Sequence, residues 1–90
     1  MSLRLIASRY VKDPKALEIF RDAERMVLDA IETCSAAEAA DRAREFASEV
    51  TDAWLAGKPE LSADDIREIG RIHDSVLSWT ATRFRERCGR

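Results

Sequence analysis

Apolar residues recur at three- and four-residue steps along three long stretches of the chain, the spacing of one helical face. From Pro14 to Thr33 the stripe is Leu17, Phe20, Ala23, Val27, Ala30, Ile31 and Cys34, flanked by Ile19, Met26 and Leu28. From Ala36 to Leu55 it is Ala36, Ala40, Ala43, Ala47, Val50 and Trp54, with Phe46 beside it; its alanines favour helix and permit close helix approach. From Ala63 to Arg87 it is Ile66, Ile69, His73, Val76, Thr80 and Phe84, with Ile72, Leu77 and Trp79 on the flank. Leu3, Ile6, Ala7 and Tyr10 share one face of a short leading helix, because no other segment offers a strand partner.

Punctuation places the helix starts. Asp13-Pro14 puts proline in a first helical position, where its missing amide is harmless. Ser35-Ala-Ala-Glu38 and Ser62-Ala-Asp-Asp65 both read as capping boxes, in which a serine hydroxyl accepts a free amide of the first turn. The expected fold is a single all-α domain over residues 1–90, an up-down three-helix bundle with a short N-terminal fourth helix. The alternative drops the Ser35 cap, making residues 14–56 one helix about 64 Å long, against about 38 Å for the last helix. Such a long hairpin would have to dimerise to bury its remainder. Phe20, Val27, Ile31, Phe46, Val50, Ile66, Ile69, Val76 and Phe84 are the expected core, and Trp54 the residue closing its open end.

With 46% apolar and 36% charged residues the chain belongs to folded proteins. No apolar run approaches the roughly 18–20 residues that span a bilayer. Its N-terminus has no signal-peptide core, so a cytoplasmic location, or delivery without a cleaved signal, is expected. Net charge is −2, but the ends are basic: Arg4, Arg9 and Lys12 at one, Arg83, Arg85, Arg87 and Arg90 against Glu86 at the other. Arginines at a helix C-terminus suit the dipole, and they would also suit an acidic partner. Cys34 and Cys88 lack metal or redox spacing, so reduced thiols are the default. In an up-down-up bundle, however, both lie at the C-terminal ends of parallel helices, which allows a disulfide.

Three stretches bear on chemistry. Arg67-Glu-Ile-Gly-Arg-Ile-His73-Asp74-Ser-Val-Leu77 resembles the phosphoacceptor helix of one histidine-kinase class, which implies phosphotransfer or decoy use of His73, with Asp74 orienting the ring. Arg67 and His73 also resemble the arginine–histidine pair of helical ribonuclease-type toxins, although six helical residues set them about 120° apart. Residues 61–87 resemble the helix-turn-helix of bacterial regulators, with Leu61, Ile66, Ile69, Ile72, Leu77 and Phe84 at its core positions. That resemblance implies DNA binding, with Ser75, Ser78, Arg83, Arg85 and Arg87 as contacts. It departs from the family at Arg67, where alanine is usual, and at Gly70, one residue early for the turn.

The chain shows no phosphate-binding glycine loop, no nucleophile elbow and no base placed beside either cysteine. No catalytic residue, cofactor or metal set is therefore expected. Subtraction leaves a non-enzymatic interaction module, an adaptor, regulator or inhibitor that binds a protein partner or its own copy through a helix face, without a membrane. Its expected interface is Ile72, Trp79, Arg83, Met26 and Leu28, apolar and aromatic residues in excess of what three short helices hide, with Arg83 stacked on Trp79.

Overall fold

The structure, a computed structural model, describes residues 2–89. It is all helical, in the order α1 (Leu3–Ala7), α2 (Pro14–Glu32), α3 (Ala36–Leu55) and α4 (Ala63–Cys88). The three long helices form the up-down bundle, and α1 is its short fourth member. Arg90 lies outside the described residues.

Local chemistry sets each start. Ser2 accepts from the Leu5 amide at 3.2 Å, and Asp13 accepts from the Lys15 amide at 3.0 Å just ahead of Pro14. Ser62 closes a full capping box: its hydroxyl accepts from the Asp65 amide at 3.1 Å, while its own amide donates to Asp65 at 3.0 Å. These bonds to the charged form, with Lys58 3.1 Å away, hold the Asp65 carboxyl below its ordinary pKa.

Ser35 behaves differently. It is the N-cap residue of α3, yet its hydroxyl makes no capping bond. The break between α2 and α3 comes instead from Cys34, whose φ of 53° is left-handed. Its amide donates to Ile31 at 3.0 Å and the Ser35 amide to Ala30 at 3.1 Å. This is the Schellman pattern that ends many helices, here with cysteine where glycine is usual. The single long helix over residues 14–56 is thus not formed.

The core sits around α3, against which both α2 and α4 pack. Ala39, Ala43 and Ala47 are buried along it with Phe46 and Val50, so small side chains bring the helices together around one large ring. Phe46 meets Phe20 of α2 with ring centroids 5.9 Å apart. From α4 come Ile72, Val76 and Thr80; the buried Thr80 and Thr51 hydroxyls donate to carbonyls one turn back at 2.8 Å. Leu3, Ile6, Ala7 and Val11 complete the core from α1 and the segment after it, which pack against α2 and α4. Glu24 of α2 anchors that segment by accepting from the Arg4 amide at 3.1 Å. At one pole Tyr10 meets Trp54 edge-on at 5.9 Å, and the Lys58 ammonium lies 4.5 Å from the Trp54 ring, so Trp54 does close that end. Burial and the nearby Glu68 carboxylate raise the Tyr10 phenol above its ordinary pKa.

Two expectations on α4 are corrected. Ile66 is 61% exposed, whereas Ile72 is fully buried. The buried line runs Ile72–Val76–Thr80, and Ile66 stands six residues before it, about 120° around the helix. With α1 packed against α4, the flank carrying Ile72 is closed within the chain. Ile69 and Phe84 are half-buried at the margin.

Phe46→Ala should cost about 3–5 kcal/mol, the range for an aromatic ring removed from a packed core. Ile66→Ala should stay within about 0.5 kcal/mol, as exposed substitutions usually do. Urea unfolding followed by circular dichroism compares them, and equal costs would contradict this helix phasing.

Candidate protein-docking surface

The apolar stripe of α2 is wider than its neighbours can cover. Phe20, Val27, Ala30 and Ile31 face the core, while Ile19 (67% exposed), Met26 (42%) and Leu28 (41%) do not. Leu28 borders α4, and Ile19 and Met26 border α3, so the surplus divides between two grooves.

The α2/α4 groove has a volume of about 460 Å³ and is lined by Leu28, Ile31 and Trp79. Its charged rim is already paired. Arg87 meets Glu32 at 3.1 Å across the two helices, Arg83 meets Glu86 at 3.5 Å, and Glu24 is held by Arg4. The Arg83 guanidinium lies 5.4 Å from the Trp79 ring, a cation–π contact that uses the one-turn spacing between them. One end of the groove is fastened covalently: Cys34 and Cys88 form a disulfide with Cα atoms 5.6 Å apart, and no free cysteine remains. The expectation of reduced thiols is corrected here. The turn at Cys34 brings the end of α2 against the last turn of α4.

The α2/α3 groove, of about 250 Å³, is lined by Ile19, Ala23 and Met26 with Asp22, Glu45, Glu49 and Arg42. Arg42 is engaged along its own helix, 3.1 Å from Glu45 and 3.9 Å from Glu38. Partial burial, with Glu45 and Asp52 nearby, raises the Glu49 carboxyl above its ordinary pKa. The acids on this face form no motif in the sequence. Their alignment with Ile19 and Met26 needs the packing of α2 on α3.

The residues expected at an interface therefore separate. Leu28, Trp79 and Arg83 come together at the α2/α4 groove, Met26 lies in the other groove, and Ile72 is removed from any interface by its burial. The helix-turn-helix geometry is not formed, because α4 runs unbroken through Gly70 and Arg71 pairs with Glu68 one turn back. Glycine inside a helix costs only about 1 kcal/mol relative to alanine, too little to force a turn. Ser75 is half-buried and Ser78 exposed on α4. Arg83 and Arg87 share a face and are both paired to acids, while Arg85 points about 160° from Arg83, so these arginines do not make one basic face. His73 is half-buried beside Ile72 and Asp74 is exposed. Among the described residues no group of His, Cys, Asp or Glu side chains is placed to hold a metal ion, and no helix is long and apolar enough to cross a membrane.

No known family model, curated protein or solved structure matches the chain.

The disulfide closes a sequence separation of 54 residues. Loop entropy assigns such a cross-link about 4 kcal/mol, a large share of the total stability of a small domain. Urea unfolding with and without dithiothreitol should show a loss near that size. An unchanged midpoint after complete reduction would contradict it.

Proposed function

We propose that the protein is a non-enzymatic interaction module that docks a protein partner, first of all a second copy of itself, on the α2/α4 groove. The observation that carries this reading is the pairing of exposed Leu28 with Trp79 inside a rim whose charges are already neutralised. An occupant gains burial of apolar surface without stripping water from an unpaired charge, the term that most often cancels such a gain. Tryptophan and arginine are also the residue types enriched where interfaces carry their energy. An adaptor, a regulator or an inhibitor would all work through such a surface.

The same pairing weighs against nucleic acid as the partner. Arg83 and Arg87 are engaged with Glu86 and Glu32, so neither is left to supply the phosphate attraction that drives nonspecific binding. The Cys34–Cys88 bridge favours an oxidising compartment over the reducing cytoplasm.

Leu28→Arg is a cleaner probe than Trp79→Ala, because Trp79 also packs against the core. Sedimentation equilibrium of the oxidised protein should return a dimer at high micromolar concentration. Leu28→Arg should return a monomer with unchanged helicity. A monomeric wild type, or a variant that dimerises equally well, would overturn self-association through this groove.

A further inference from the structure

We propose that the α2/α3 groove is a second docking site, electrostatically distinct from the first, for a basic amphipathic helix of a partner protein. Ile19 and Met26 stand seven residues apart on α2, about 10 Å along the axis, with the small Ala23 between them. That is two helical turns, the distance over which an incoming helix repeats its own side chains at i, i+4 and i+7. Apolar anchors on such a helix would lie on Ile19 and Met26, and a flexible thioether adapts to the shape it meets. The walls decide the charge of the occupant. Asp22, Glu45 and Glu49 face the groove, and Arg42, its one cation among the described residues, is occupied by Glu45 and Glu38.

Asp22 and Glu49 have no ion-pair partner among the described residues, unlike the acids around the α2/α4 groove. The groove is short of positive charge; burial first, and then the neighbouring Glu45 and Asp52 carboxylates, raise the affinity of Glu49 for a proton. Lysines or arginines flanking an apolar stripe would relieve the carboxylate repulsion while the stripe covers Ile19 and Met26. A bare cation would leave the apolar pair uncovered, and a nucleic acid would be repelled. This site is independent of the dimer groove, so either can fail alone.

The probe is an 18-residue peptide of leucine and lysine in amphipathic helical order, with a leucine and glutamate peptide of the same order as its control. Added to the isotope-labelled, oxidised protein, the lysine peptide should shift amide resonances around Ile19, Ala23, Met26, Glu45 and Glu49. Fluorescence anisotropy at low salt should show at least tenfold weaker binding to a Glu45→Gln, Glu49→Gln variant, and likewise to an Ile19→Ser, Met26→Ser variant. An Asp41→Asn, Asp64→Asn variant removes the same charge from exposed positions elsewhere and should bind within twofold of wild type. Four results would each overturn the proposal: no binding, shifts centred on Leu28 and Trp79, equal binding of the glutamate peptide, or equal weakening by the Asp41, Asp64 control. Because Ile19 and Met26 are exposed, their variants keep the fold, which circular dichroism verifies.

Discussion

The reversal at Cys34 is the constraint on which the rest of the structure depends. A left-handed backbone at a residue bearing a Cβ is unfavourable by roughly 1–2 kcal/mol, and Cys34 adopts it between α2 and α3. The bridge to Cys88, worth about 4 kcal/mol on loop entropy, exceeds that cost. One residue thus ends α2, reverses the chain into α3 and ties the last turn of α4 to the same pole. Without the reversal, α2 and α3 could not share Phe20 and Phe46 in one core, and Leu28 would have no neighbouring helix with which to form a groove.

Once the chain turns there, packing decides what remains outside. The alanines of α3 draw α2 and α4 close, α1 packs against both α2 and α4, and Ile72 is fully buried. No element is left for the outer edges of α2. Its apolar surplus accordingly lies along two grooves of different electrostatic character. Around Leu28 and Trp79 the charges are paired within the chain. Around Ile19 and Met26 carboxylates predominate, and Arg42, the one cation lining the groove among the described residues, is already engaged. Grooves so unlike suit different occupants, which is why self-association and capture of a basic helix are assigned to separate places.

Much of this frame was legible in the sequence, because it rests on local rules. The Asp13-Pro14 start, the Ser62–Asp65 capping box and the stacking of Arg83 on Trp79 each involve residues within one turn of each other. What was not legible depended on packing. The break after α2 fell where Ser35 marks it, but the Cys34 backbone made it and not the serine hydroxyl. The phase of α4 was misread because Ile66, Ile69 and Ile72 are equally apolar, and only the packing of α4 against the other helices chooses Ile72 for the core. Periodicity shows which residues could be buried, whereas the number and position of neighbouring helices show which are. The disulfide carried a signal, two cysteines at the ends of parallel helices, that compartment arguments outweighed. At the candidate site, Leu28, Trp79 and Arg83 were legible as surplus, whereas the acids beside Ile19 and Met26 gained meaning only from the meeting of α2 and α3.

Peptide mapping of the unreduced protein tests the fastening of α2 to α4 at Cys34 most directly. Digestion of the air-oxidised chain, followed by mass spectrometry, should yield one linked pair of peptides joining Cys34 to Cys88, and it should come from a species of monomer mass in denaturant. The account requires the ends of α2 and α4 to meet within one chain. Free thiols after oxidation, or bridges joining Cys34 to Cys34 or Cys88 to Cys88 between chains, would contradict the account.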